Sequence, residues 1–494
     1  MSKRNKNQLA DHSKKGNSEE LSLLGFWGLT AIVFGSIIGS SIFNIAQNMA
    51  RNASLGAVIL AWLITGTGML FLVLVFKRLS DSFPNLRAGI YQYAQVGFGN
   101  YIGFNMAWGY WLCVILGNVT YVAMLNESLA SFFPVFQNNG FITVCFGGIL
   151  IWSMFVLVSN GIKSAAFLNT MLSIIKFGCI ILIIGLLIIY IKIGMFTADF
   201  WGKTALPSLG SIGNQLSSCM LVTVWSFMGI EGAVMMAGRA RRSKDIGKAS
   251  VSGFLFALSL YILVTILCFG VMTQSQLANL PNPSLAFVLD YCAGSWAKWF
   301  VISSVVISLS GGFMAWTLVC SQVPYEAAQV GIFPRRFLRL NRHGVPYFGM
   351  ITASIAMTLC LILVVSADNV YIAALNLTSL MVLPPYLFTA LFLLKISFSS
   401  DSDKLKDNKW NNRVLAFFAS LFCFYILFSS SWKLVMATSV FYLGGTVFYV
   451  MARRQARGVK SVFTPRQLVI FCLILICAII SIVMFATGNI QLDS

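Results

Sequence analysis

The sequence has few charged residues. Only 10% of its 494 residues are Asp, Glu, Lys or Arg, whereas soluble globular domains carry about 25%. Hydrophobic residues make up 58% of the chain, and its mean hydropathy is +0.82. A soluble enzyme is therefore excluded. Because a membrane helix needs about 20 apolar residues, this length has room for about a dozen spans, and the chain is expected to be an all-α polytopic membrane protein.

Histidine is scarce, and the cysteines are not arranged for chemistry. His12 and His343 are the only two histidines, so a histidine-based metal or haem site has almost no ligands to draw on. Most of the eleven cysteines lie inside apolar runs, and none forms a C-x-x-C motif, so they are interpreted as small hydrophobic residues. We expect no cofactor and no metal.

Acidic residues are also few, at 15 against 34 Lys and Arg, which gives a formal net charge of +19. In a soluble protein this excess would suggest nucleic acid as a partner. In a membrane protein it is explained by the enrichment of Lys and Arg in cytoplasmic loops. The lipid bilayer, and not nucleic acid, is therefore the expected surrounding.

Thirteen apolar runs follow a polar, basic N-terminal segment. Residues 1–24 contain no long apolar stretch and are predicted to be a disordered cytoplasmic tail without a signal peptide. Residues 25–494 are predicted to form a single transmembrane domain. The runs, numbered below as spans one to thirteen, lie at about 26–50, 55–78, 100–132, 141–160, 166–193, 212–238, 249–273, 296–323, 347–366, 370–394, 414–430, 434–452 and 467–487.

The basic residues predict the orientation of the spans. With the N-terminus inside, 28 of the 34 Lys and Arg fall in cytoplasmic segments, five fall outside, and Lys176 lies within span five. This bias supports both the span count and a cytoplasmic N-terminus. Thirteen spans would then put the C-terminus outside.

Two spans are interrupted by small and polar residues. Span one contains GSIIGSSIF (Gly35 to Phe43), and span six contains WSFMGIEG (Trp225 to Gly232). Such residues also allow close helix packing. However, paired interruptions at membrane depth in two parts of a chain are typical of unwound helices, whose freed N–H and C=O groups hold a ligand. We therefore predict a binding site at the two breaks.

Two ionisable residues within the apolar spans are functional candidates, since a charge in the membrane is costly unless it is paired. Glu231 lies in the second break and is interpreted as a carboxylate that faces a cavity, attracts a cationic substrate and takes up a proton. An ion pair with an arginine of the loop that begins at Arg239 is the alternative. Lys176 lies mid-span and is expected to contact the first broken helix. Glu127 and Glu326, near span ends, are weaker candidates.

Four further residues could line the same cavity. Trp225 and Trp316 lie among small polar residues, away from the water interfaces, and indole faces attract ammonium or guanidinium groups. Tyr110 and Asn118 lie about two turns apart on span three. The alternatives are simple packing for the tryptophans and ordinary interhelical hydrogen bonds for Tyr110 and Asn118.

These motifs resemble the amino acid–polyamine–organocation superfamily. The resemblance rests on GSIIGSSIF with QNMA, YWLCVILGN, WSFMGIEGA with the following R-A-R-R-S-x-D-I-G-K-A loop, and WTLVCSQ, and it extends from about residue 21 to the end. The bacterial basic amino acid antiporters, especially arginine/ornithine antiporters, are the most similar branch. The resemblance implies two inverted five-helix repeats, at about 25–193 and 212–395, with broken helices one and six, additional helices at about 413–487, and a bacterial cytoplasmic membrane location.

The resemblance also implies roles for individual residues. Gly39, Ser40 and Ser41 would bind the substrate carboxylate, although relatives usually have Gly where Ser41 stands. Carbonyl groups around Ile38, Trp225 and Met228 would bind the α-ammonium of the substrate. Trp225 would also gate the site. Trp316 would stack on the side-chain cation of the substrate, and Asn118 would bind the far end of that side chain. Glu231 would sense proton or charge, and Lys176 would stand where sodium binds in sodium-coupled relatives.

The expected function is exchange of cationic amino acids, with arginine, ornithine, lysine or the decarboxylation product agmatine as substrates. A proton-coupled cationic amino acid or polyamine permease is the alternative. A channel would need a filter or a ring of charges, a sensor would need a signalling domain, and a membrane enzyme would need clustered His, Asp or Cys. The sequence has none of these. A homodimer is left open.

Overall fold

The computed structural model describes residues 25–487, apart from residues 87–88, 137–138, 161, 197–198, 204–207, 233–240, 368, 406–407 and 457–460. The predicted N-terminal tail and the C-terminal residues lie outside this part, as does Arg239. The described chain is helical, and its one β-bridge joins Leu340 and Pro346.

Seventeen α-helices are present in the described residues. In chain order, α1 to α17 are Phe26–Ile37, Ile45–Ala50, Leu55–Ser82, Ile90–Phe98, Asn100–Ala130, Gly140–Ser159, Ile162–Tyr190, Ile212–Ser226, Ser243–Phe269, Gln274–Ala278, Ser284–Ala293, Ser295–Gln329, Tyr347–Val364, Val370–Ser397, Lys409–Ser429, Trp432–Gln455 and Pro465–Ala486.

Ten of these helices are long and apolar enough to cross a membrane: α3, α5, α6, α9 and α12 to α17. The other three predicted spans correspond to α1 with α2, to α7 and to α8. Each of the thirteen apolar runs therefore contains at least one helix within its described residues. Three short helices, α4, α10 and α11, lie between spans and were not predicted, since their apolar stretches are too short to be recognised as membrane spans.

Span one is interrupted where the sequence predicts it. α1 ends at Ile37, residues Ser41–Phe43 form a 3₁₀ turn, and α2 begins at Ile45. The Phe43 N–H bonds the Ser40 carbonyl at 3.2 Å, which is the i→i+3 pattern of a 3₁₀ turn. Glycine and serine favour this break in the helix. Ordering glycine in a helix costs the most backbone entropy, and the serine side chain competes for backbone hydrogen bonds.

Span six is interrupted after α8 ends at Ser226. The N–H groups of Phe227, Met228 and Ile230 each bond a carbonyl three residues earlier, and Gly229 has φ +100°. A Cβ at Gly229 would lie 2.9 Å from the backbone of Ser36 on α1. Glycine is therefore required twice over, for its left-handed conformation and for the close approach of the two interrupted spans.

α5 packs extensively against α12 and α14 in the core. α5 is buried along its whole apolar stretch, whereas α17, the last helix, is mostly exposed. After its first turn, the exposed residues of α17 are apolar, among them Val469, Leu473 and Ile476. Such a surface is suited to lipid. The two interruptions meet α5 at the centre of the bundle, and this meeting point positions the candidate site.

Candidate substrate site between the two interrupted helices

A small cavity lies between the interruptions of spans one and six. Its volume, counted as space for the centre of a water molecule, is about 20 Å³, which is enough for a water and too little for an amino acid. Its lining is Ser36, Ile37, Gly39, Ser40, Ser41, Val114, Gly117, Tyr121, Trp225, Met228 and Trp316.

Six of the predicted site residues line this cavity: Gly39, Ser40, Ser41, Trp225, Met228 and Trp316. They come from the first interruption, from the end of α8 and the turn that follows it, and from α12. Ser40 and Ser41 are almost fully buried, and the Ser40 hydroxyl has no hydrogen-bond partner among the described residues. The cavity therefore combines a buried hydroxyl at an unwound backbone with the rings of two tryptophans.

Ile38, Tyr110, Asn118, Glu231 and Lys176 do not line the cavity. Asn118 is fully buried one residue after Gly117, and its side-chain amide donates to the Cys320 sulfur at 3.4 Å. The Asn118 side-chain carbonyl has no partner among the described residues. It is thus an available acceptor next to the cavity wall.

Glu231 lies behind the second interruption. It is 1% exposed, and each carboxylate oxygen accepts a hydrogen bond from a tyrosine: Oε1 from Tyr110 at 2.5 Å and Oε2 from Tyr386 at 2.7 Å. Tyr110 is on α5 and Tyr386 on α14, so this carboxylate joins the interruption to two core helices. The cavity-facing position predicted for Glu231 is not seen. Within the described residues no cation lies within 4 Å of it either.

Lys176 contacts the first interruption, as expected. Its Nζ donates to the Ile38 carbonyl at 2.5 Å and to the Gly35 carbonyl at 3.3 Å. It is 8% exposed, and Phe177 lies beside it. The ammonium therefore satisfies carbonyl groups that the end of α1 leaves without helical partners. Its contact with Ile38 also competes with the predicted role of that carbonyl as an acceptor for the substrate.

Two aromatic residues that the sequence analysis did not single out complete the site. The Tyr261 hydroxyl lies 2.6 Å from the Ser41 hydroxyl and donates to the Ile37 carbonyl at 3.0 Å. Tyr121 lines the cavity, and its hydroxyl lies 2.7 Å from where a Cβ at Gly39 would be. Both come from long apolar helices, where a tyrosine gives no local signal of its function.

The site lies along α5 in a defined order. Tyr110, bonded to Glu231, is seven residues before Gly117, and Tyr121 is four residues after it, so the two tyrosines flank the cavity along the helix axis at about 10 Å and 6 Å from Gly117. Tyr110 and Glu231 therefore lie toward one end of α5 relative to the cavity, and Tyr121 lies toward the other end. These features are those of a polytopic membrane protein with a central site at two interrupted helices.

Comparisons with known proteins agree with this class. Residues 24–452 match the amino acid permease family. The arginine/agmatine antiporter of Chlamydia pneumoniae is 38% identical over 475 residues, covering 95% of this chain and 98% of the relative. That of Chlamydia abortus is 37% identical, covering 98% and 100%. The chain belongs to the amino acid permease family.

A solved structure supports the fold. MhsT in complex with L-phenylalanine, a LeuT-fold transporter, aligns with a TM-score of 0.53 at 13% identity, covering 82% of this chain and 98% of that one. The LeuT fold is built from inverted repeats with interrupted helices. The predicted fold class is therefore confirmed. The repeat boundaries at 25–193 and 212–395 stay predictions.

Proposed function

We propose that the protein is a secondary active transporter that exchanges cationic amino acids and their decarboxylation products, with arginine against agmatine as the leading pair. Full-length relatives at 36–38% identity carry the name arginine/agmatine antiporter. Within this chain, the single observation that supports the proposed exchange is the cavity at the two interruptions, which is lined by Trp225, Trp316 and Ser40.

The chemistry of the cavity suits a cationic amino acid. The Ser40 hydroxyl, which has no partner among the described residues, is a donor for a carboxylate. The rings of Trp225, Trp316 and Tyr121 are surfaces on which a guanidinium or ammonium is attracted by about 0.5–2 kcal/mol each. Agmatine has no carboxylate, so it would depend on the rings and on the Asn118 carbonyl. We propose substrate-contacting roles for these residues.

Glu231 and Lys176 are proposed to couple substrate binding to movement without touching the substrate in this conformation. The Glu231 carboxylate holds α5 and α14 to the second interruption through Tyr110 and Tyr386. Lys176 holds the end of α1 through its carbonyl groups. A transporter must release such contacts as the cavity opens. Loss of the Glu231 or the Lys176 charge would therefore change the opening of the cavity.

The second candidate is proton-coupled uptake of a cationic amino acid or polyamine. The observation that favours it is the same buried carboxylate, since Glu231 could carry a proton in place of counter-substrate. A channel or a sensor on the same helices fits less well, because the cavity has room only for a water.

For membrane placement, we propose a bacterial cytoplasmic membrane location with the N-terminus inside. The positive charge bias of the predicted loops supports this direction. The C-terminus would then be external, α5 would run outward, and the Tyr110–Glu231 contact would lie on the cytoplasmic side of the cavity. The homodimer left open by the sequence stays a prediction, as does the absence of enzyme activity.

Uptake of labelled arginine into proteoliposomes tests the proposal. Vesicles are preloaded in turn with agmatine, ornithine, lysine or buffer alone. Arginine for agmatine exchanges a charge of +1 for +2 and moves net charge, whereas arginine for ornithine is electroneutral, so an imposed membrane potential separates the pairs. Uptake that requires internal agmatine and responds to the potential supports the proposal. Equal uptake into buffer-loaded vesicles under a proton gradient would favour the second candidate.

A further inference from the structure

A second, larger cavity lies beyond Tyr121 along α5. We call it the outer vestibule. Its volume is about 880 Å³, and it is formed where the C-terminal end of α5 meets the starts of α12 and α14 and the segment before α11. Glu127, in its wall, is ten residues after Gly117 on the same helix, or about 15 Å from that glycine along the helix axis. The vestibule is therefore on the path between the central cavity and one aqueous side.

Three side-chain oxygens at the vestibule accept no hydrogen bond from the part of the chain that the structure describes. Glu127 Oε2 accepts a hydrogen bond from the Asn282 amide at 2.6 Å, and Oε1 accepts none from the described residues. Asn126 donates to the Phe136 carbonyl at 3.3 Å, which leaves its own side-chain carbonyl unpaired. The Asn282 side-chain carbonyl is also unpaired. Asn126 and Asn282 are only 6% and 9% exposed, so their free oxygens are costly without a ligand or water.

Glu127 and Lys298 are the two charged residues in the vestibule lining, and of these only the lysine has an ion-pair partner among the described residues. The Lys298 ammonium is paired with Asp290 at 3.3 Å and rests against the ring of Phe287. Arg51 is near enough to act on Glu127 electrostatically, but it forms no ion pair with it within 4 Å. The Glu127 carboxylate therefore remains as the charge that a ligand can reach.

We propose that Glu127, Asn126 and Asn282 form a recruitment subsite that binds the guanidinium or ammonium of an incoming substrate before it enters the central cavity. The match is one of donors to acceptors: an ammonium has three N–H donors and a guanidinium five, and the subsite has a carboxylate in the vestibule wall with two unpaired amide oxygens buried beside it. The inference deepens the proposed function and rests on it. The subsite acts from one side of the membrane only, because Glu231 and Tyr110 flank the opposite side of the cavity.

Arginine exchange by Glu127→Gln tests the subsite, because glutamine keeps the shape and removes the charge. Transport is measured in right-side-out and inside-out vesicles. We expect KM for arginine to rise about fivefold from the vestibule side, the effect of losing one charge pair at contact distance in water. From the other side KM is unchanged, and so is the maximal rate. Agmatine, with two positive charges, is expected to show at least as large a rise.

Two variants separate charge from structure. Glu127→Asp keeps the charge and should keep KM near that of the wild type. Asp199→Asn removes a carboxylate from the connection between spans five and six, outside the vestibule wall, and should change nothing. Raising ionic strength should bring the wild-type KM toward that of Glu127→Gln, since salt screens the pair. Replacing sodium with choline at fixed ionic strength should not.

Each contrary result has a distinct meaning. If the wild type exchanges arginine and Glu127→Gln has the same KM from both sides, the subsite does not exist, although the proposed function stands. A fall in maximal rate with KM unchanged would make Glu127 a structural residue, and a sodium-dependent effect would make the ligand an inorganic cation. If the wild type exchanges no cationic amino acid, the proposed function fails, and the subsite fails with it.

Discussion

The Tyr110 hydroxyl donates a hydrogen bond of 2.5 Å to Glu231, which joins the middle of α5 to the interruption of span six. The second oxygen of Glu231 accepts from Tyr386 on α14 at 2.7 Å. A buried carboxylate that accepts two hydroxyl donors is well satisfied. Its charge is held between three elements that must change their relative positions if the cavity opens on that side.

Glu231→Gln should therefore impair exchange strongly. The amide keeps the size of the side chain, but it cannot accept at both positions as a carboxylate does, and it removes the charge on which both tyrosine contacts depend. We expect arginine exchange to fall at least about tenfold and its dependence on pH to flatten, while the protein still inserts in the membrane. Initial rates in proteoliposomes from pH 5 to pH 8 measure this.

Tyr386→Phe is the matched comparison, since it removes one donor and leaves the charge. It should lower the rate less than Glu231→Gln does and should preserve the pH profile. A Glu231→Gln variant with wild-type rates at every pH would mean that the carboxylate serves packing alone.

Lys176 gives a prediction about ion coupling. Its ammonium bonds the carbonyl groups of Gly35 and Ile38, where it supplies a fixed positive charge at the unwound backbone. Exchange should be independent of sodium, and replacing sodium with choline should leave the rate unchanged. Lys176→Ala should abolish most transport, because each carbonyl left without a donor costs about 1–3 kcal/mol.

Lys176→Met serves as its control, because it restores the buried apolar stem without the ammonium. If loss of packing were the cause, the Met variant would recover activity. If the charge is required, as we expect, both variants stay inactive. Strong stimulation of the wild type by sodium would contradict this account of Lys176.

The sequence was sufficient to predict the spans and both interruptions, because long apolar runs and clustered Gly and Ser are local signals. It also predicted the contact of Lys176 with α1, since a mid-span lysine needs carbonyl partners. It did not predict Tyr261 or Tyr121, whose positions depend on which long helices pack together. The direction of Glu231 was missed for a related reason: in the turn after Ser226, the φ of +100° at Gly229 changes which way the following side chains point.

Gly229→Ala should destabilise the protein. A Cβ at this position would lie 2.9 Å from the backbone of Ser36, and alanine would also have to adopt φ +100°. Strain of this kind costs about 1–3 kcal/mol. We expect a lower Tm in detergent and a loss of exchange. Gly444→Ala is the control, because a Cβ there meets nothing within 4 Å; equal Tm for both variants would contradict the close packing of the two interruptions.

Trp316 provides the test of how the cavity distinguishes cations from neutral amino acids. It lies on α12 in the cavity lining with Gly39 and Ser40, so its ring can face a ligand held at the first interruption. Trp316→Leu removes the aromatic face and retains much of the apolar volume. The attraction between the ring and a cation is about 0.5–2 kcal/mol, so binding of arginine should weaken by roughly twofold to thirtyfold. Any residual binding of leucine should change little, because a neutral side chain gains nothing from the ring's charge distribution.

The measurement is competition of labelled arginine by unlabelled arginine, ornithine, agmatine and leucine in the wild type and the variant. Trp410→Leu is the control, since Trp410 is 66% exposed and lies outside the cavity; it should leave all four inhibition constants unchanged. Agmatine should be weakened most by Trp316→Leu, because it has no carboxylate to hold it at Ser40 and depends more on the rings. Equal weakening of all four ligands would mean that Trp316 contributes packing, and selectivity would then have to come from the Asn118 carbonyl beside the cavity.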